Sequence, residues 1–203
     1  MNSSQDYTTR AANPGDAKAL ALHIDIAGEG IPSWLWAQSA DDSQSPIDVG
    51  IDRARRDTGG FSYRNAFVVE RAGQVLGMAL SYPIDNAPDT DTSALPTPIV
   101  PFIELEAQSV GTWYVNALAA RAGSRGVGVG SHLMADVEHR ARKAGYGTLS
   151  IQVYAQNIGA VRLYQRLGFK TVGQAPVLQH PCQPYYTGDV LLLTKQIKTN
   201  GHI

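Results

Sequence analysis

Residues 124–134 read SRGVGVGSHLM, with Gly126, Gly128 and Gly130 at alternate positions and Arg125 beside them. A chain gives up that much backbone order where something must come close to its peptide groups. The stretch lies between an apolar run, TWYVNALAA, and a run of helical apolar spacing, so its amides fall at a helix N-terminus. Unpaired N–H groups and the helix dipole favour an anion there, and phosphate binding is the chemistry these residues suggest. Two phosphate loops fail the spacing. A dinucleotide loop, G-x-G-x-x-G, meets Ser131 when counted from Gly126 and Leu133 when counted from Gly128. The acidic residue it needs about 20 positions later is missing, because 139–188 contains none. A triphosphate loop counted from Gly123 has Val129 where its lysine must stand.

The charge distribution agrees with an anionic ligand. The whole chain carries a net charge of −1. Residues 121–170, however, hold Arg121, Arg125, Arg140, Arg142, Lys143, Arg162, Arg166 and Lys170 against only Asp136 and Glu138. The glycine loop thus sits in the basic part of an otherwise acidic protein. A solvated basic face on two helices would account for the same charges.

One remaining pattern fits. Arg125-x-x-Gly128-x-Gly130 is similar to the R/Q-x-x-G-x-G/A signature of the GNAT superfamily, the acyl-coenzyme A-dependent N-acyltransferases. NIGAVRLYQRLGF resembles the second coenzyme A motif of that family, N-x-x-A-x-x-L-Y-x-x-x-G-F, and matches it at Asn157, Ala160, Leu163, Tyr164, Gly168 and Phe169. The resemblance implies acetyl-coenzyme A as cosubstrate, with its pyrophosphate on Arg125, Gly126, Val127, Gly128, Val129, Gly130 and Ser131. It implies the pantetheine arm along Leu118 and Ala120, on a strand splayed from its neighbour TLSIQVY, with Asn157 and Ala160 against the cofactor. Tyr164 becomes the general acid for the departing thiolate, since a phenol can protonate the thiolate of a thiol with pKa about 8.5. Without the motif, Tyr164 reads as a packing residue beside Leu163 and Leu167, and Asn157 as a plain helix cap.

The base is less legible. Many members of that family carry a glutamate on the strand before the loop; Ala117, after Asn116, occupies that position. Glu106 and Glu104 in FIELEAQ are the alternatives, with Glu70 behind them and a water chain to bulk also open. An alkyl amine near pKa 10 is about one-thousandth neutral at pH 7, so some group must accept its proton. The expected function is direct acetyl transfer to a primary amine of a small molecule or peptide, since no positioned Ser or Cys nucleophile offers a covalent route. A non-catalytic acyl-coenzyme A-binding sensor or regulatory module is the alternative. Trp34, Trp36, the 83–101 loop and HPCQPYY at 180–186 are candidates for lining the acceptor site or for packing. The acidic N-terminal half suggests a cationic amine.

These residues need a frame, and the sequence outlines a single 203-residue domain. A strand over 7–12 precedes a helix from about Pro14, capped by Asn13 and stopped by Gly28 and Gly30. A second helix in PIDVGIDRARRDTGG ends at Gly59–Gly60. NAFVVERAGQVLGMALSYPI folds as two strands around Ala72–Gly73. A Pro-rich loop insertion spans 83–101, then a short helix at FIELEAQ and a buried strand at TWYVNALAA. The glycine loop leads into a helix capped at Gly145, strand TLSIQVY, a helix from Asn157 to Gly168, and strands in FKTVG and DVLLLTKQI. The order predicts a mixed α/β domain with a central βαβ unit. The resemblance sharpens this to the GNAT fold: a mostly antiparallel sheet of six to seven strands with helices on both faces.

Composition excludes other classes. At 43% hydrophobic and 17% charged residues the chain is neither disordered nor membrane-embedded, and no apolar run nears the roughly 18 residues of a membrane span. MNSSQDYTTR has no secretory pattern. The one cysteine, Cys182, has no internal partner, and with His180 reads as a loop residue. A cytoplasmic protein without metal, nucleic-acid or membrane partner is expected, with a homodimer as the family habit.

Overall fold

The computed structural model describes residues 7–87, 91–124, 126–179 and 187–198. Along the chain these form β1 (Thr8–Ala11), α1 (Ala17–Ala27), α2 (Ile31–Ala37), α3 (Pro46–Arg55), β2 (Ala66–Arg71) and β3 (Gln74–Ile84). There follow α4 (Val100–Ala107), β4 (Thr112–Ala120), α5 (Val129–Lys143), β5 (Thr148–Tyr154), α6 (Ile158–Arg166), β6 (Lys170–Pro176) and β7 (Asp189–Gln196). The strand order is β1-β2-β3-β4-β5-β7-β6. β4 and β5 run parallel, which α5 between them requires; β1–β2, β2–β3, β5–β7 and β6–β7 are antiparallel. The expected mixed, mostly antiparallel seven-stranded sheet with a central βαβ unit is therefore present. The chain divides into two compact units. One takes the residues up to Leu80 with Ala117–Met134; the other takes Ser81–Asn116 and the chain from Ala135 onward.

In the first unit, α1 buries Ala17, Leu20, Ala21 and Ile24, one helical stripe. Asn13 and Asp16 make a reciprocal capping box at the turn before it. Asp16 also takes two hydrogen bonds from the Arg10 guanidinium, at 2.7 and 2.9 Å, which hold its carboxyl below the usual range. PSWLWAQ supplies α2, a helix too short to announce itself by periodicity. Trp36 there is only 2% exposed and lies over Gly50, where a Cβ would come within 2.5 Å of the ring. That aromatic is core. α3 ends at Arg55, earlier than the expected Gly59–Gly60; Asp57 beyond it binds Tyr63 and Arg64, and Ser62 donates to the Arg56 carbonyl. β2 and β3 turn at Ala72–Gly73, both with positive φ, the two-residue geometry that matches strand twist.

Gly77 of β3 is a point of this unit where an added Cβ would press directly on backbone. A Cβ there would stand 2.7 Å from the Ala119 carbonyl oxygen and 2.9 Å from a Val129 methyl. Backbone cannot yield as a side-chain end does. Gly77→Ala should therefore cost about 1–3 kcal/mol by overpacking, read as a lowered midpoint in urea.

In the second unit, Leu105, Val190 and Leu192 form a buried cluster, with Phe102, Ala175 and Val177 against it. This packing seats α4. The chain before α4 is also more ordered than a loop over 83–101: β3 runs on through Pro83 to Ile84, short 3-10 turns occupy 92–94 and 97–99, and the helix begins at Val100.

Candidate functional site

The glycine loop belongs to the first unit. After β4 a 3-10 turn over Ala122–Ser124 is tied by the Ser124 amide to the Arg121 carbonyl, and the Arg121 amide donates to Leu76. Gly126 and Gly128 then take φ of 76° and 95°, the left-handed region that an L-residue enters at a cost of roughly 1–2 kcal/mol. Nothing lies within 4 Å of where their Cβ atoms would stand. The first helical bond of α5 runs from the His132 amide to the Gly128 carbonyl. The amides of Val129, Gly130 and Ser131 are thus the helix's first donors, without intrahelical acceptors. A glycine at the capping position offers no side chain to take them.

That set fits a pyrophosphate: amides at a helix N-terminus, beside an open cradle that methyl groups would fill. Gly126, Val127 and Gly128 are exposed, and Gly130 and Ser131 half-buried. The helix opens at Val129, whose side chain is 1% exposed, so it has only its backbone to offer a ligand. Arg125 lies outside the described residues. Leu118 and Ala120 sit half-buried on β4, and Ala117 is buried. Part of the basic segment is already compensated: Asp136 pairs with Arg140, and Glu138 takes both Arg142 and Lys195.

α6 belongs to the second unit. Asn157 is its N-cap, with the side-chain oxygen accepting from the Ala160 amide at 3.2 Å. Its buried residue is Tyr164, 4% exposed, while Leu163 and Leu167, expected to face the core, are half-buried. The Tyr164 ring lies tilted on Phe169 with centroids 5.8 Å apart. Burial pushes its hydroxyl above the ordinary tyrosine range. It therefore stays protonated throughout the neutral range.

The second unit also separates the candidate carboxylates. Phe102, Leu105 and Glu106 share one face of α4 at i, i+3 and i+4, and Phe102 and Leu105 turn that face inward. Glu106 is half-buried there, whereas Glu104 is exposed. Burial raises the Glu106 carboxyl above its ordinary value, and a hydrogen bond with the Tyr114 hydroxyl opposes the rise. Burial first, then the Glu106 charge, pushes Tyr114 and Tyr82 up. The two phenol rings meet edge-on at 6.0 Å, and Asn116 donates to the Tyr82 hydroxyl at 3.2 Å. Glu70 is in a different position, bonded to the Arg10 guanidinium at 2.9 Å.

Tyr82, Tyr114 and Gln152 had no place in the sequence-based site. The signal was there in period two: Thr112, Tyr114 and Asn116 share a face of β4, and Ser150, Gln152 and Tyr154 share a face of β5. Polar residues at alternate positions of buried strands need partners. Among the described residues no cluster of three His, Cys, Asp or Glu could hold a metal ion, and no helix is long and apolar enough to cross a membrane. His180 and Cys182 fall outside the described residues, as does the rest of HPCQPYY.

Solved structures share this architecture. The Drosophila melanogaster polyamine N acetyltransferase superposes with a TM-score of 0.65 at 17% identity, over 95% of this chain and 100% of that one. The Salmonella typhimurium protein yncA, solved with its cofactor acetyl-CoA, gives 0.63 at 18% identity, over 97% and 96%. At such identities the likeness defines the fold. The model of the acetyltransferase (GNAT) family matches residues 29–169, so the chain belongs to that family. Blasticidin-S acetyltransferase of Streptomyces morookaense is 38% identical over 63 residues, which make up 31% of this chain and 46% of that protein.

Proposed function

We propose that this protein transfers an acetyl group from acetyl-CoA directly to a primary amine of a small molecule or peptide. The observation that carries the reading is the loop: two glycines held at positive φ beside an open cradle, followed by the first amides of a helix that opens directly after Gly128. Gly126 to Ser131 would hold the pyrophosphate, with Leu118, Ala120, Asn157 and Ala160 along the rest of the cosubstrate. Bound acetyl-CoA supplies the activated acetyl thioester. Tyr164 keeps a proton at its hydroxyl for the departing sulfur. Glu106 accepts the proton that the attacking amine must lose, and its raised carboxyl makes it a better base than a solvated glutamate. Membership of the family and the neighbour solved with acetyl-CoA support the choice of donor.

A thermal-shift series tests the donor. Acetyl-CoA at about 100 times its dissociation constant should stabilise the fold by roughly 2.7 kcal/mol, while ATP and NAD should leave it unchanged. Gly128→Ala should remove most of that shift, because the methyl enters the cradle, while the ligand-free midpoint drops only by the cost of a strained φ. A shift retained at full size would sink the loop assignment. For the acceptor, free thiol release should be followed with blasticidin S, agmatine and an alanine-initiated peptide. The first two are motivated by the names of relatives, namely blasticidin-S acetyltransferase and an enzyme that forms N-acetylagmatine. A sensor that binds acyl-CoA without turnover is the second reading, favoured by Ala117 at the strand position where the family places a glutamate. It predicts the thermal shift and no thiol release with any amine.

A further inference from the structure

We propose that His23 is an acid-sensitive latch of the first unit: the neutral imidazole is buried with α1, and its protonation releases that helix. The geometry fixes which ring nitrogen carries the hydrogen. His23 is 6% exposed, and its Nδ1 stands 2.7 Å from the Ala19 carbonyl oxygen, one turn back on the same helix. A carbonyl oxygen only accepts, so Nδ1 holds the hydrogen and donates. In the neutral ring Nε2 is then a bare lone pair. It is buried and meets no hydrogen-bond partner among the described residues. The neutral form leaves one acceptor unmade, a modest cost. The protonated form is different: Nε2 gains a hydrogen with nothing to receive it, and a full charge is enclosed with it. The glycine loop belongs to the same unit, so a release of α1 in acid strikes the unit that carries the loop.

α1 packs on α3, α2 and the turn over Pro14–Asp16, and none of them brings His23 a counter-charge. α2 reads IPSWLWA and carries no charge at all. α3 carries Asp48, Asp52, Arg53 and Arg55. Asp48 is exposed and bonded to Ser45, Asp52 is exposed and bonded to Gln44 and Arg55, and Arg53 reaches Ser39. In the turn, Asp16 is taken by the Arg10 guanidinium. On α1 itself Lys18 is exposed, and Asp25 accepts from the Ser33 amide at 2.8 Å. The charge that does act on the imidazole is that of Arg121, of the same sign as the proton it would gain. Burial pushes His23 below the ordinary histidine value, the Ala19 bond opposes this, and Arg121 adds to the fall. A released α1 carries no such penalty, and its histidine takes a proton below about pH 6.5. Between that value and the lower folded one, the released state holds one proton more than the folded state. The stability is therefore fully present above about pH 6.5 and is lost as pH falls through the folded value.

Hydrogen exchange on the full chain tests this with neither acceptor nor cosubstrate present. After correction for the intrinsic exchange rate, the opening constant of the α1 amides should rise up to tenfold per pH unit downward from about pH 6.5. The β5–β7 ladder of the second unit should not follow. In His23→Leu, which cannot take the proton, the α1 rise should vanish. His23→Gln cannot take it either, and carries the test if the leucine variant does not fold. Proton NMR of the imidazole Cε1–H reads the same event directly, and the His23 signal is the one missing from the variant. It should keep its neutral-form position at about pH 6, where a solvated histidine is mostly charged. A His23 signal that shifts at the ordinary histidine value overturns the latch. So does an α1 rise that persists in the variant, because another group then takes up the proton.

Discussion

Tyr164→Phe should lower kcat by about 100-fold while leaving the acetyl-CoA thermal shift nearly intact. General acid–base groups contribute roughly 10²–10⁴-fold, and this tyrosine belongs at the low end. Its buried hydroxyl titrates above the ordinary tyrosine range, whereas the thiolate it serves belongs to a thiol with pKa about 8.5. Full proton transfer from the tyrosine is therefore uphill even to the fully formed thiolate, and much of the benefit is a hydrogen bond to developing charge. A 100-fold loss is about 2.7 kcal/mol, a reasonable size for such a bond in a dry site. The substitution keeps the ring on Phe169, so the unliganded fold should melt near the wild-type temperature. Stopped-flow thiol release with a saturating amine reads kcat directly. If thermal stability and cofactor affinity fall instead, with kcat preserved, Tyr164 is a packing residue.

Glu106→Gln should cost about 10²–10³-fold in kcat/KM at pH 7 and change the shape of the pH profile. In the wild type, the acid limb follows a carboxyl whose burial places it above the ordinary glutamate value. In the amide variant that limb disappears. Turnover then draws on the small neutral fraction of the amine, so the rate climbs tenfold per pH unit toward the amine's own pKa. Stability should move the other way. A carboxyl raised in the folded state contributes stability below its unfolded value, and that contribution is lost as pH rises through the folded one. At neutral pH the ionised Glu106 therefore weighs against the fold, and the neutral amide relieves it. The variant should unfold at higher urea than the wild type at pH 7, with the gain vanishing in acid. A loss of stability at neutral pH would mean that the carboxylate is a structural partner. Glu104→Gln, on the exposed side of the same helix, should change neither profile.

How much of this was legible in the sequence depends on the reach of each interaction. The β4–loop–α5 unit and the α6 motif are written in consecutive residues: positive-φ glycines, a helix that begins at once, an asparagine cap and a glycine stop. Local backbone chemistry dictates these, so spacing alone locates them. The hairpin at Ala72–Gly73 and the α1 stripe are legible for the same reason. α2 was not, because seven residues give too few turns for a period to show, and Trp36 earns its place only by meeting Gly50. Nor could spacing choose among Glu70, Glu104 and Glu106, which look alike along the chain. The choice follows from the rotation of α4, set by Phe102 and Leu105 packing on strands some 70 to 90 residues later, and from a phenol and an amide on β4 and β5. Glu70 is excluded in the same way, by an arginine 60 residues before it. The sequence by itself determined the family motifs and the open glycine loop at the start of α5, since those rest on φ angles and helix ends. Only the tertiary structure decided which carboxylate is buried beside tyrosines and which are paired or exposed, because desolvation and hydrogen bonding are properties of neighbours that the chain brings together from afar.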